Sequence, residues 1–223
     1  MCGRFVQTSR KDRIAELFGV DPASLDIFDA PRYNIAPSQV CLVIRSLDLG
    51  WPVAVAHSWG LLPHWSKSAG DRRYINARSE TVFDKPAFRS AARARRCLVP
   101  ADGFYEWKST RTGKVPHFVH LNNKQPFGIA GLWDCWERGR DRIETFTLLT
   151  TQANELMQPI HDRMPVIVKP EQFRLWLDST VTEKEKLAGV LQPYPATEMA
   201  AYPVSARVNS PANDDSKLVE PVN

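Results

Sequence analysis

Strand-forming runs fill this chain, and they follow one another too closely for helices to connect them. Residues 97–100, 104–107, 118–121, 127–133 and 145–150 are short apolar or alternating stretches, each the length of a strand. Ala101-Asp102-Gly103 and Arg111-Thr112-Gly113-Lys114 supply the turn chemistry between them. The N-terminal half repeats the pattern at 2–6, 40–45 and 53–59. A doubly wound parallel sheet needs a helix after nearly every strand, and that rhythm is missing. The predicted fold is therefore α+β. We expect a single domain over residues 1–223, with a curved, mainly antiparallel sheet or barrel-like core and flanking helices.

Helices are predicted at the margins. Thr8 or Ser9 caps one whose apolar face is Ile14, Leu17 and Phe18, and Gly19 ends it. Others are expected at 86–94, 154–157 and 170–177, the last with Pro170 in its first turn. A further helix to Leu191 opens on a capping box of Thr182 and Glu185. The polar tail from about residue 210 is expected to be loosely ordered.

Composition narrows the class. With 43% hydrophobic residues the chain can bury a sizeable core, and no apolar run reaches the ~18 residues of a membrane-spanning helix. The N-terminus lacks the apolar stretch of a secretory signal. Cys2, Cys41, Cys97 and Cys135 are widely spaced, which fits a reducing compartment better than a disulfide framework or a zinc knuckle. A net charge of +4 mildly favours a polyanionic partner. Arg89, Arg93, Arg95 and Arg96 crowd one segment, either as a solvated helix face or as a phosphate-facing patch.

A few residues could carry chemistry. Cys2 follows Met1 directly, and removal of Met1 would leave an amine and a thiol on adjacent carbons. Such an aminothiol condenses with an aldehyde and closes into a thiazolidine, and both groups titrate near pH ~8. His161, in the polar loop His161-Asp162-Arg163, is the best acid–base candidate, with its ordinary pKa near working pH. Glu106 stands among Phe104, Tyr105 and Trp107. It is either a desolvated carboxylate or a solvent-facing strand residue. Asn76 and Arg78 alternate along an extended segment and share a face. Trp59 and Trp65 are core residues or stacking platforms for unpaired bases. His57 reads as structural, and His64 as a possible ligand contact. His117 and His120 fall on opposite faces of a strand, so no metal site is expected. Cys2, His161 and Glu106 also have the residue types of a Cys–His–acid hydrolase site.

These pieces, taken in order, resemble the SRAP (SOS-response-associated peptidase) family. The motifs are Met1-Cys2-Gly3-Arg4-Phe5, Arg32-Tyr33-Asn34-Ile35-Ala36-Pro37, Trp59-Gly60-Leu61-Leu62-Pro63-His64-Trp65, Asn76-Ala77-Arg78-Ser79-Glu80-Thr81, the run from Cys97 to Trp107, His161-Asp162-Arg163-Met164-Pro165 and Pro203-Val204-Ser205. The resemblance implies a monomer that binds single-stranded DNA carrying an abasic site, with no cofactor. It implies that Cys2, freed of Met1, forms a thiazolidine crosslink with the ring-opened sugar, with associated lyase and autoproteolytic activity. It carries Cys2, Asn76, Glu106 and His161 over as catalytic positions. Arg4, Asn34, Trp65, Arg78 and Arg163 become expected DNA contacts. A bacterial, cytoplasmic location follows, nucleoid-associated when bound to DNA. Two other readings stay open: a cysteine peptidase acting on other proteins, and a non-catalytic binder of single-stranded DNA.

Overall fold

The computed structural model describes residues 2–26, 28, 30–46 and 51–222. In chain order the strands are β1 (Arg4–Gln7), β2 (Arg32–Ile35), β3 (Val40–Ser46), β4 (Pro52–Trp59), β5 (Asn76–Arg78), β6 (Arg96–Ala101), β7 (Gly103–Thr110), β8 (Gly113–Leu121), β9 (Phe127–Arg138), β10 (Asp141–Gln152), β11 (Arg163–Pro165), β12 (Ile167–Val168) and β13 (Met199–Pro203). The helices are short: α1 (Lys11–Phe18), α2 (Arg89–Ala94), α3 (Phe173–Leu177) and α4 (Lys184–Leu187).

Two sheets result. One runs β13-β8-β7-β1-β2, antiparallel throughout. In the other, β10, β4, β3, β6 and β9 pair in turn, and β9 pairs back onto β10, closing a five-stranded barrel. Closure removes the exposed edges that an open sheet would carry. β10 is the organising strand. Its first half forms a long hairpin with β9, from Asp141↔Arg138 to Leu148↔Gly131. Its second half takes β5 in parallel and β11 antiparallel. The expectation of a mainly antiparallel α+β fold holds, with parallel pairing at the two junctions of β10 with β4 and β5.

Between the sheets lies an apolar layer that includes Phe5, Trp59, Val99, Phe104 and Phe146. Trp59 sits edge-on to Phe5 at 5.1 Å, stacks on Phe146 at 6.3 Å, and donates its indole N–H to the Ile75 carbonyl at 2.8 Å. It is core, whereas Trp65 stands 51% exposed on the following loop.

The arginine segment is mostly structural. Arg96 is buried and donates to the carbonyls of Trp176, Ala92, Arg93 and Asp178, so it satisfies orphan carbonyls at the ends of α2 and α3. Burial holds its guanidinium pKa down, to about 10. Arg95 lies 3.1 Å from Asp134, and Arg93 donates to Phe83 and Arg89 carbonyls. Arg89 and Arg93 are both exposed, and of the four only Arg89 makes no side-chain bond among the described residues.

Several local expectations need correction. Thr8 and Ser9 do not cap α1; their backbone N–H groups donate to the Asp102 carboxylate, at 2.6 and 3.0 Å, and the helix starts after Arg10. Gly19 does end it, at φ 65°. The Thr182–Glu185 capping box does not form, since the cap position falls on Glu183 without a side-chain bond. Residues 154–157 make a turn rather than a helix, although Asn154 Oδ1 accepts the Met157 N–H as a cap would. The tail from about residue 210 is docked rather than loose. Leu218 is fully buried against Val6, Tyr105 and Phe118, and Val204 bridges Pro221. Asp214 accepts from Asn34 N at 3.0 Å and from Arg32 Nε at 2.7 Å, which ties the tail to β2.

His57 shows what burial does to a titratable group here. Its Nδ1–H donates to the Ala56 carbonyl at 2.8 Å, and its ring stacks on Trp133. Nε2 is buried without a hydrogen-bond partner among the described residues. Burial lowers its pKa to about 4, outweighing the raising influence of Glu144 at 3.7 Å, so the pair is not ionic at neutral pH. An unfolded histidine titrates near 6.5. Protons therefore favour the unfolded chain as pH falls from 6.5 toward 4, and stability is lost over that window. Between pH 7.5 and 5 the loss from His57 is about 2 kcal/mol. Urea denaturation at the two pH values should show it, and His57→Gln should show a correspondingly smaller difference between them.

Candidate active site

The N-terminal strand delivers Cys2 to the seam between the sheets. β1 pairs with β7 through Arg4↔Tyr105, Phe5↔Phe104 and Val6↔Gly103. The ladder ends at Arg4–Tyr105, and Glu106 and Trp107 continue β7 beyond it. Cys2 lies just outside that last pair, fully buried among Phe5, Phe104 and their neighbours. Its backbone carbonyl accepts the Asn76 side-chain amide at 2.8 Å, so β5 and the barrel strand β10 hold the N-terminus in place. Asn76 Oδ1 is buried and has no hydrogen-bond partner among the described residues. Met1, whose removal would free the Cys2 amine, lies outside the described residues.

Glu106 is 2% exposed, which settles its two sequence readings in favour of the desolvated carboxylate. Oε2 accepts the Trp107 backbone N–H at 3.2 Å. Burial, and then the neighbouring Glu106 carboxylate, push the Cys2 thiol well above the ordinary thiol range, so the sulfur is held protonated. Glu106 and His161 line one open groove together with Arg4, Trp107, Lys114 and Asn209. His161 accepts the Arg163 backbone N–H on Nδ1 at 2.9 Å, while the Asp162 carboxylate lies 2.7 Å from the same nitrogen. Both contacts cannot be hydrogen bonds at once. Without a proton Nδ1 accepts from Arg163 N, and with one it donates to the Asp162 carboxylate.

The expected DNA contacts divide. Arg4 is in the groove, donating at 3.4 Å to Gly3 O and at 3.3 Å to Asn209 O. Arg78 is exposed on β5. Arg163 is committed to Glu80 by a two-pronged ion pair at 2.6 and 2.8 Å, and to the Thr150 carbonyl at 2.6 Å. That hydrogen-bonded arginine holds the Glu80 carboxyl below its usual range. Asn34 corrects the expectation. It is fully buried, and its amide donates to the carbonyls of Val208, Ser210 and Asn213 at 3.2, 3.0 and 2.9 Å. It anchors the tail and has no face for DNA. Trp65 is exposed but does not line the groove; its neighbour His64 pairs with buried Asp134 at 3.0 Å.

Three groove residues were not singled out as contacts from the sequence. Trp107 was read only as a neighbour of Glu106, and Lys114 only as part of a turn. Asn209 opens the tail. Its Oδ1 accepts the Trp107 indole N–H at 2.8 Å, and its carbonyl accepts from Arg4. The hairpin register that sets Lys114 opposite Ser109 was the available signal for the lysine.

Comparison with known proteins places this geometry. The family model described as SOS response associated peptidase (SRAP) matches residues 1–211. Abasic site processing protein YoqW of Bacillus subtilis is 42% identical over 99% of both chains. Abasic site processing protein YedK of Escherichia coli is 30% identical over the full length of both. Abasic site processing protein HMCES of Gallus gallus is 32% identical over 86% of this chain and 66% of its own. A crystal structure of a Bacteroides thetaiotaomicron protein superposes over the whole of both chains at a TM-score of 0.88 and 27% identity.

Proposed function

The chain belongs to the SOS response associated peptidase family, and on that premise we propose that it processes abasic sites in single-stranded DNA by bonding covalently to them through Cys2. The observation that carries the reading is the Asn76–Cys2 hydrogen bond, which fixes the N-terminal residue beside a groove lined by Glu106 and His161.

The chemistry runs in balanced steps. Hydrolysis of the Met1–Cys2 peptide bond consumes one water and frees the Cys2 amine. We assign that cleavage to the same site, which accounts for a peptidase activity directed at the chain itself. An abasic sugar is mostly a closed hemiacetal. As the ring opens, protonated His161 gives a proton to O4′ and takes one back from the C1′ hydroxyl, so the C1′ aldehyde appears with no net proton consumed. Glu106 accepts the proton of the ammonium, so the neutral amine adds to C1′. Loss of one water from the carbinolamine, with a proton returned by Glu106 or His161, gives the imine. The thiol then adds across the C=N bond: sulfur bonds to C1′ and its proton passes to nitrogen, closing the thiazolidine. No oxidant or reductant is consumed. Asn76 holds the Cys2 carbonyl so that amine and thiol face the same carbon.

An imine left unclosed acidifies the C2′ proton and permits β-elimination of the 3′ phosphate, the origin of a lyase side reaction. None of the described helices is long and apolar enough to cross a membrane. The abasic-DNA reading carries the assignment to the cytoplasm, where the protein acts as a monomer on the nucleoid.

The test is incubation of the processed protein with an abasic single-stranded oligonucleotide, read on a denaturing gel. A heat-stable shifted band is expected, with none on an intact strand. Equal affinity for both strands without a covalent band would instead make the protein a non-catalytic binder. Turnover of unrelated peptides without DNA would make it a peptidase in trans.

A further inference from the structure

β7 carries a side-chain row that the bonding chemistry does not use. Tyr105, Trp107 and Ser109 share one face of the strand by alternation. Register adds Arg4, opposite Tyr105, and Lys114, opposite Ser109, to that face. Tyr105 is covered by the docked tail, which packs Val208 and Leu218 on it. Beyond the tail's border at Asn209 the row emerges, and Arg4, Trp107 and Lys114 line the groove with Glu106 and His161.

Two cations in this groove lack carboxylate partners. Among the described residues Arg4 bonds only to neutral carbonyls, and its Nε is buried without a hydrogen-bond partner. Lys114 is exposed and makes no ion pair among the described residues. Such pairs are common elsewhere on the surface, as in Arg142–Glu144 and Arg207–Asp215. Between the two cations stands Trp107, its indole fixed by Asn209 at 2.8 Å. Ser109 lies four residues beyond Tyr105, so the two cationic ends are about 13 Å apart along the strand at roughly 3.3 Å per residue. An extended nucleic-acid backbone covers that distance in about two nucleotides. Grooves that track single strands combine spaced cations with aromatic faces.

We propose that Lys114 is a phosphate contact about two nucleotides from Arg4, on a track along β7 that Asn209 holds open by fixing Arg4 and Trp107. The assignment rests on the single-stranded DNA reading above and extends it by naming where the strand leaves the reacting centre.

The test uses the full chain and an undamaged single-stranded oligonucleotide, with affinity followed by fluorescence anisotropy across a salt series. Lys114→Gln should lower the slope of log affinity against log salt by about 0.7. Lys124→Gln removes the same charge from the turn between β8 and β9, outside the groove, and should leave the slope unchanged. Crosslinking of an abasic strand at saturating DNA should keep its wild-type rate in the control variant. An unchanged slope in Lys114→Gln, or an equal drop in both variants, would overturn the track. If wild type crosslinks normally while either result is seen, the track fails and the abasic-site reading stands. If wild type binds single strands with the predicted slopes but never crosslinks, the reading of the reacting centre fails and the track stands. Absence of any single-strand binding would sink both.

Discussion

Cys2→Ala should abolish the heat-stable DNA adduct, while Cys2→Ser should leave an adduct only borohydride can preserve. The difference lies in what the side chain contributes. Imine formation needs only the α-amine, which all three residues offer once Met1 is gone. Ring closure needs a second nucleophile two carbons away, and sulfur adds to a C=N bond far better than a hydroxyl. The buried setting of Cys2 bears on this step. Its thiol is held protonated by burial and by the neighbouring carboxylate of Glu106. On ring closure sulfur bonds to C1′ and the thiol proton passes to the imine nitrogen. A protonated, fully buried thiol is also a poor target for oxidants before DNA arrives. Borohydride-dependent trapping of Cys2→Ala at wild-type yield, with no heat-stable band, is the expected pattern. A heat-stable band from Cys2→Ala would remove sulfur from the mechanism.

Removing the groove's two proton carriers should slow bonding without weakening DNA binding. Positioned acid–base groups contribute about 10²- to 10⁴-fold, so Glu106→Gln and His161→Ala should each cost at least ~100-fold in the single-turnover rate at saturating abasic DNA. Glu106→Gln keeps the volume and the acceptor for Trp107 N–H, so its defect reports the lost proton acceptor rather than a collapsed wall. His161→Ala should be partly relieved on substrates whose sugar is already ring-opened, because the O4′ proton is then not needed. A Glu106→Gln variant reacting at the wild-type rate would exclude the carboxylate as the base. The two variants in combination should cost less than the product of their separate effects, since they share one proton inventory.

Much of this site could be read from residue types and order. Cys2 is legible because a cysteine at position 2 has a chemistry no internal cysteine has. Alternation singled out Asn76, which the structure bonds to the Cys2 carbonyl; Arg78 is exposed on β5 and away from the groove. The readings that failed did so where the answer depends on sequence-distant partners. Asn34 was expected beside DNA, yet its amide is consumed by carbonyls some 174–179 residues away in the tail. The tail was expected to be loose because its polar composition hides a few anchors, Leu218 and Asp214 among them, that dock it. Glu106 could not be assigned from strand alternation. Alternation predicts faces, and this strand is covered on both of them around Tyr105 and Glu106. The arginine segment carried no mark separating Arg96, which caps two helices from within, from Arg89 on the surface. Trp59 and Trp65 differ only in which side of a loop they occupy.

The central claim is that the bond to DNA is made by the unmasked α-amine of Cys2 together with its thiol. Intact mass spectrometry of the isolated adduct tests it most directly. The account predicts an adduct whose protein part lacks Met1 and whose total is one water lighter than the sum of processed chain and abasic oligonucleotide. Peptide mapping should place the added mass on residue 2. A heat-stable adduct that retains Met1, or one mapped to a lysine, would contradict it.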